Sequence, residues 1–426
     1  PEQAEASAVM ELAERFSFFS FAGNPVNFRM AKFNEIGEEA LSFESIAKSV
    51  HDESPDLDAS RRVFENLPLK WTKAYNLTEK KELMIPFDWF YAINAFNGPS
   101  AGNCLEEALS QGICEIVERH TSSIISHNRH VCPAINPDST TDPMVVEMLN
   151  KYRKAGIHMV LTDFSLGLGI PTVGALAYDP STFPEKSEIV WTAGTTPDPE
   201  KALSRALTEV AQLAGDFNSG TNYVASGLPK FTRIDDAAFI THPDQTIEIS
   251  DLPDISSDNI KVEVENCIAE LAARDLQVIV VNTTHPLLGI PALYTIVPGA
   301  HFRERALNTS VGMFSAKLIS EMSTPEDAIR SLEAFDRDLP NKYYISFYRG
   351  VCQLKLNSPD DALNSFQAAL DRGPNHALIT IQLRLPDRIL FVSRMDGVMC
   401  IIELVFGCGF VELPGLFGFF AGERVC

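Results

Sequence analysis

The chain has 426 residues, too many for one ordinary core at roughly 100 to 200 residues per domain, so two or three units are expected. Its composition, 45% apolar, 9% aromatic and 22% charged, suits a protein that buries cores and excludes a disordered or fibrous chain. A formal charge of -22 repels phosphate backbones and anionic lipid heads, which argues against nucleic acid and membrane surfaces as partners.

Pro1-Glu2-Gln3 reads as the first turn of a helix whose capping residue would precede it, so the N-terminus is expected to be incomplete. That helix is predicted over about residues 1–16. Strand-like runs follow at 71–76 and 83–93, and Asn97-Gly98-Pro99 breaks the chain before a long helix over 104–122. Another helix over 143–155 leads into a strand at 158–162.

Two echoes organise this region. Ser7, Glu11, Glu14 and Arg15 recur 104 residues later as Gln111, Glu115, Glu118 and Arg119. Leu168-Gly169-Ile170-Pro171-Thr172-Val173 recurs as Leu288-Gly289-Ile290-Pro291-Ala292-Leu293, each after a helix and an apolar strand. The fold class is therefore α/β, with a body of duplicated helix-strand units at 1–318.

Residues 319–376 change pattern. Ala328, Leu332, Phe335 and Pro340 align with Ala362, Phe366, Ala369 and Pro374 at a 34-residue period, and Gly350 stands where a TPR places a small packing residue. A short all-α TPR-like segment is expected, truncated or docked on the body because so few repeats cannot bury their own faces. Residues 377–426 form an unassigned apolar tail in which Glu403, Glu412 and Pro414 interrupt the run of roughly 20 residues that a membrane span needs. The eight Cys show no CxxC pairing, so a reducing, cytoplasmic setting is expected.

The chemistry lies in the carboxylates. Glu11 and Glu14 share one helix face, with Arg15 a turn beyond Glu11. Eleven residues separate Glu107 from Glu118, almost three whole turns, which lines them up roughly 16 Å apart with Asn103 one turn earlier. Such spacing is too wide for one shared ion but suits acids strung along a polyphosphate, each holding a magnesium otherwise bound by phosphate and water. Glu115 and Arg119 flank the line. Apolar neighbours on both helices (Val9, Met10, Leu12, Ala13 and Phe16; Leu105, Leu109, Ile113, Ile116 and Val117) predict buried helices, and buried carboxylates need cations.

These residues resemble a known family. Ser7, Glu11, Glu14 and Arg15 match the SxxxExxER motif of YcaO proteins, and Ser100 to Ala108 with Glu115, Glu118 and Arg119 match their second nucleotide motif. Asp198 to Gln212 is similar to the third signature, so the resemblance spans about residues 1–315. It implies an ATP site without a Walker loop, drawn from Ser7, Glu11, Glu14, Arg15, Ser100, Asn103, Glu107, Glu115, Glu118, Arg119 and Arg205. Within that site it implies Glu11, Glu14, Glu107 and Glu118 as magnesium ligands and Arg119 and Arg205 against phosphate.

The implied reaction is ATP-dependent O-phosphorylation of a peptide backbone amide, which a nucleophile then attacks, as in azoline or thioamide formation or an accessory role in ribosomal-protein methylthiolation. The Pro-rich C-terminus of the family's azoline-forming members is not seen, so the latter two roles are expected, and without the family's Gly-rich segment upstream of the first helix this chain is expected to be inactive as it stands. Expected partners are a peptide or protein substrate and a sulfur-donor or accessory protein, with a homodimer as an alternative assembly. The competing reading is a non-catalytic nucleotide-binding scaffold that recruits partners through its TPR-like segment. His127, His130 and Cys132 have metal-like spacing but lack a fourth ligand for zinc. Asp163 and Asn282, before the two Gly-Ile-Pro turns, are read as Asx turns rather than as the mouth of a cleft.

Overall fold

The computed structural model describes residues 2–214, 231, 233–302 and 309–373, together with the backbone of three later strands. Internal packing divides the chain into one unit of residues 1–53 and 68–310 and a second of residues 54–67 and 311–426.

The first unit holds two sheets, whose strands are numbered along the chain. One contains β1 (Arg29–Ala31), β2 (Leu69–Asn76), β3 (Lys81–Pro86), β4 (Pro99–Ala101), β10 (Ile279–Asn282) and β11 (Ala292–Ile296). Its order is β1-β2-β10-β11-β4, with β3 also paired to β2. The other contains β5 (Ala134–Ile135), β6 (His158–Asp163), β7 (Thr172–Tyr178), β8 (Val190–Thr195) and β9 (Thr246–Ile247) in the order β8-β7-β6-β5-β9. All pairs are antiparallel except β5 with β9.

The helices are α1 (Glu2–Gly23), α2 (Phe87–Asn94), α3 (Leu105–Asn128), α4 (Pro143–Lys154), α5 (Pro199–Leu213) and α6 (Ile260–Ala272). Those of the second sheet start where the sequence supplies caps: Asp142 accepts from Met144 N, and Asp198 from Glu200 N, each followed by Pro at the first helical position. α4 and α5 bury Val145, Leu149, Ala202, Leu203, Ala206 and Val210 against Val173, Ala175 and Ala177 of β7. The opposite face takes Leu176 with Phe164, Phe239, Ile240 and Ile125 from α3. Covered on both sides, β7 can be apolar without alternation.

The duplicated Gly-Ile-Pro segments are the turns of two equivalent hairpins, β6–β7 and β10–β11, preceded by α4 and α6. Gly169 and Gly289 supply the positive φ, 77° and 63°, that each turn requires. Asp163 accepts from Ser165 N at 2.8 Å and Asn282 from Thr284 N at 3.0 Å, so both are Asx turns as expected.

Several boundaries differ from expectation. α1 runs to Gly23 because Phe18 and Phe21 keep the helical phase and pack on Phe87. The expected strand over 83–93 ends at Pro86, and Phe87 begins α2, whose Phe87, Phe90 and Ile93 recur every third residue on a buried face. Aromatic residues favour strands by fitting a half-buried surface, and here that surface belongs to a helix.

In the second unit a short helix, Leu57–Glu65, joins α7 (Val311–Met322), α8 (Pro325–Asp338), α9 (Tyr343–Lys355) and α10 (Pro359–Arg372). The expected body boundary at 318 falls inside α7. Gly312 has no room for a side chain beside Ser60 Oγ, at 3.0 Å from a built Cβ, and Lys342 pairs with Asp56, so residues 54–67 are tied to these helices. Ala328, Leu332 and Phe335 of α8 and Ala362, Phe366 and Ala369 of α10 are buried. A Cβ at Gly350 would lie 2.5 Å from the Phe366 ring, so only glycine permits the close crossing of α9 and α10. Beyond them, β12 (Ile381–Arg384), β13 (Arg388–Met395) and β14 (Val398–Val405) pair as an antiparallel meander. The apolar side chains expected at 377–426 lie outside the described residues. Among the described residues no helix is long and apolar enough to cross a membrane.

Candidate functional site

The site grows from the edge strand β4. Ser100 sends its hydroxyl to the Ala108 carbonyl at 2.8 Å, tying β4 to the first turn of α3. Gly112 lets α3 settle on the sheet, since a Cβ there would lie 2.7 Å from Ser100 Oγ and closer still to Thr295 Oγ1. Gly98, at φ 98°, donates its N–H to Glu115 Oε2 at 3.2 Å. On the second sheet Gly194 gives α5 a close approach to β8, because a Cβ would stand 2.5 Å from Ala206 N, and this aims Arg205 toward α3.

α1 and α3 both pack on β11, through different residues. Alternation along β11 separates them: Thr295 faces Gly112 of α3, whereas the Tyr294 ring lies 5.1 Å from Phe18 of α1. Their charged residues meet past β4, where Glu14 feels Glu115 and Glu115 feels Arg15.

Both motif copies pair the arginine with the glutamate one turn back. Arg15 lies 3.9 Å from Glu11 and 3.5 Å from Glu14, and Arg119 lies 3.8 Å from Glu115. The third signature adds Arg205, whose Nη1 donates to Gln111 Oε1 at 2.9 Å while its Nε stands 3.5 Å from Glu118 Oε2. That last contact is an ion pair without an aligned hydrogen bond, and Glu118 Oε2, Arg205 Nε and Arg15 Nη1 are all buried without hydrogen-bond partners. Three carboxylates and three guanidiniums thus converge from α1, α3 and α5.

Burial dominates their ionisation. It pushes Glu118 up to about 7, against the pull of Arg205 and Arg119 and with repulsion from Glu209 and Glu115. Glu14 is likewise pushed up to about 7 by burial, opposed by Arg15 and reinforced by Glu115 and Glu11. Glu115 is raised by burial despite Arg119 and the Gly98 N–H. Carboxylates that protein cations do not fully compensate suit a hard divalent cation. Among the described residues no three His, Cys, Asp or Glu side chains are grouped to hold an ion alone. Magnesium does not need such a cage, since it keeps water and phosphate oxygens and takes one or two carboxylates. The donor set therefore fits Mg2+ bound together with a polyphosphate.

The remaining candidates lie elsewhere or do other work. Asn103 donates from its backbone N and Nδ2 to Glu107, both at 2.9 Å to Oε2, in the first turn of α3, three turns from Glu118. Of the implied magnesium ligands, Glu14 and Glu118 thus lie with Glu115 in one cluster, while Glu11 is exposed and Glu107 is held by Asn103. Ser7 and Glu11 are exposed, and Ser100 is buried and spent on α3. The expectation that apolar neighbours bury α1 fails at Val9, Leu12 and Phe16, all exposed, and at Leu105 on α3. His127 Nδ1 meets the Ser123 carbonyl at 2.9 Å, as an ordinary helix residue. Gln111, read only as the echo of Ser7, and Glu209, read only as part of the third signature, were given no role in the site, although the phase of α3 and the four-residue step from Arg205 mark them.

A profile of the family described as YcaO cyclodehydratase, ATP- and Mg2+-binding, matches residues 1–301. The chain belongs to the YcaO family. ATP and Mg2+ are the ligands of that family. A relative from Methanothermobacter thermautotrophicus, described as an uncharacterized protein, is 27% identical, covering 70% of this chain and 78% of its own. The ribosomal protein S12 methylthiotransferase accessory factor YcaO of Escherichia coli is 25% identical over 52% of this chain and 39% of that protein. Among solved structures, a heterocyclase in complex with substrate and cofactor superposes with TM-score 0.54 at 23% identity, covering 65% of this chain and 40% of that one. The heterocyclase TruD gives TM-score 0.51 at 22% identity over 72% and 47%. These two share the YcaO fold, and the chain spans less than half the length of either.

Proposed function

We propose that this YcaO protein uses Mg2+ and ATP to activate a backbone amide of a peptide substrate by phosphorylating its oxygen. The observation that carries this reading is the convergence of Glu14, Glu115 and Glu118 with Arg15, Arg119 and Arg205, in which Glu118 is buried and Glu118 Oε2, Arg205 Nε and Arg15 Nη1 have no hydrogen-bond partner. An amide is a poor electrophile until its oxygen becomes a leaving group, and phosphoryl transfer asks a protein mainly for positioning and charge neutralisation. Mg2+ supplies that neutralisation between the carboxylates and the triphosphate. Glu14 and Glu118 would hold the cation in their ionised forms, beside Glu115, which accepts the Gly98 N–H. Arg119 and Arg205 would balance phosphate charge.

Thioamide formation, azoline formation and an accessory role in methylthiolation are the end reactions such activation would serve. The helices at 319–376 are proposed as a TPR-like docking element for a protein partner, supported by the buried 34-residue echo and the Gly350 crossing. Steady-state assays with a peptide library, Mg2+ and ATP test the reading. Peptide-dependent ADP release with a phosphate-labelled or thiolated backbone is expected; nucleotide hydrolysis indifferent to every peptide would overturn it.

A further inference from the structure

Gln111 occupies the place that Ser7 has in the first motif copy, and it is engaged where Ser7 is exposed. Its Oε1 accepts from Arg205 Nη1 at 2.9 Å. The other edge of the same guanidinium faces Glu118, with Nε 3.5 Å from Oε2 and neither atom hydrogen-bonded. Arg205 is therefore held firmly by a neutral amide and loosely by an anion.

We propose that Gln111 is a positioning residue: it grips Arg205 by the Nη1 edge so that the Nε edge passes from Glu118 to an oxygen of the bound triphosphate. The inference rests on the Mg2+-ATP reading of the site. A guanidinium presents donors on two edges in a rigid plane, so one edge can stay fixed while the other changes partner. A carboxylate at position 111 would hold the same edge but would also compete with phosphate for the positive charge. An amide fixes direction and leaves the charge unspent. The exchange would also free Glu118 Oε2 to help hold the cation. Gly194 completes the device by setting the distance between α5 and β8 from which Arg205 reaches both neighbours.

The discriminating variants are Gln111→Met, which keeps length and loses the acceptor, and Gln111→Glu, which keeps the acceptor and adds charge. Calorimetry on the full chain with Mg2+ and a non-hydrolysable ATP analogue at pH 8 should show about tenfold weaker binding for Gln111→Met. Gln111→Glu should bind at least as weakly, and its deficit relative to wild type should shrink as the pH falls and the new carboxyl protonates. In an Arg205→Lys background, where no fork exists, Gln111→Met should add less than a twofold change. A merely structural role predicts an additive loss and a lowered melting temperature without ligand. Both variants binding like wild type, or losses that add in the Arg205→Lys background, would overturn the inference. Wild-type protein that fails to bind the analogue with Mg2+ would instead remove the ATP reading on which it rests.

Discussion

The two copies of the Glu-x-x-Glu-Arg pattern share one arginine–glutamate contact in different surroundings. On α1 and α3 the arginine reaches back one turn to a glutamate at 3.9 and 3.8 Å. The α1 glutamate is 68% exposed at its side chain, whereas its α3 counterpart, Glu115, is 19% exposed and raised by burial. Only the second glutamates, Glu14 and Glu118, are alike, each pushed to about 7. Spacing sets which side chains touch, and the sheet behind the helix sets what their charges cost.

The largest expected effect is on ligand binding. Glu118→Gln should weaken Mg2+-dependent ATP-analogue binding by roughly 100-fold, while Glu11→Gln, in the exposed copy, should change it by no more than about threefold. Equal losses in calorimetry would show that exposure does not separate the two copies.

Stability should change more modestly. The folded pKa of Glu14 and Glu118 lies above the unfolded value, so the native state binds more protons between pH 4.5 and about 7 and loses stability as pH rises through that window. Each group accounts for on the order of 1 to 3 kcal/mol. Melting temperatures without ligand should fall from pH 5 to pH 8, less steeply in Glu118→Gln, and Mg2+ with nucleotide should reverse the fall. A ligand-free melting temperature that climbs over this range would contradict the buried, under-compensated site.

The smallest effect compares the residues that follow Ser7 and Gln111. Gly112→Ala must push against Ser100 and Thr295 and should cost about 1 to 3 kcal/mol in denaturant unfolding. Ala8→Gly, at the exposed equivalent, should cost no more than about 1 kcal/mol, the helix-propensity difference. A reversed order would mean that α1 is the more tightly packed helix.

Much of this was legible because it is local. The repeated motif, the paired Gly-Ile-Pro hairpins and the Asx turns at Asp163 and Asn282 all follow from spacings of a few residues. What escaped depends on partners far along the chain. Leu12 and Ile113 both follow a helical period, yet one is exposed and the other buried, and only the sheet decides which. Residues 54–67 look like part of the body until Ser60 and Asp56 meet Gly312 and Lys342. Gln111 gains its meaning from Arg205, 94 residues away.

The ladder between β2 and β10 pairs Asn76 with Ile279, and β4 finds its neighbour only in β11. During synthesis at roughly 5 to 20 residues per second, the about 200 residues between those strands take on the order of 10 to 40 seconds to emerge. For that interval α1 and α3 have no finished sheet between them, and the acidic cluster cannot form. A nascent chain should thus be blind to nucleotide until β11 has left the ribosome, which makes ligand capture a late checkpoint on a completed body.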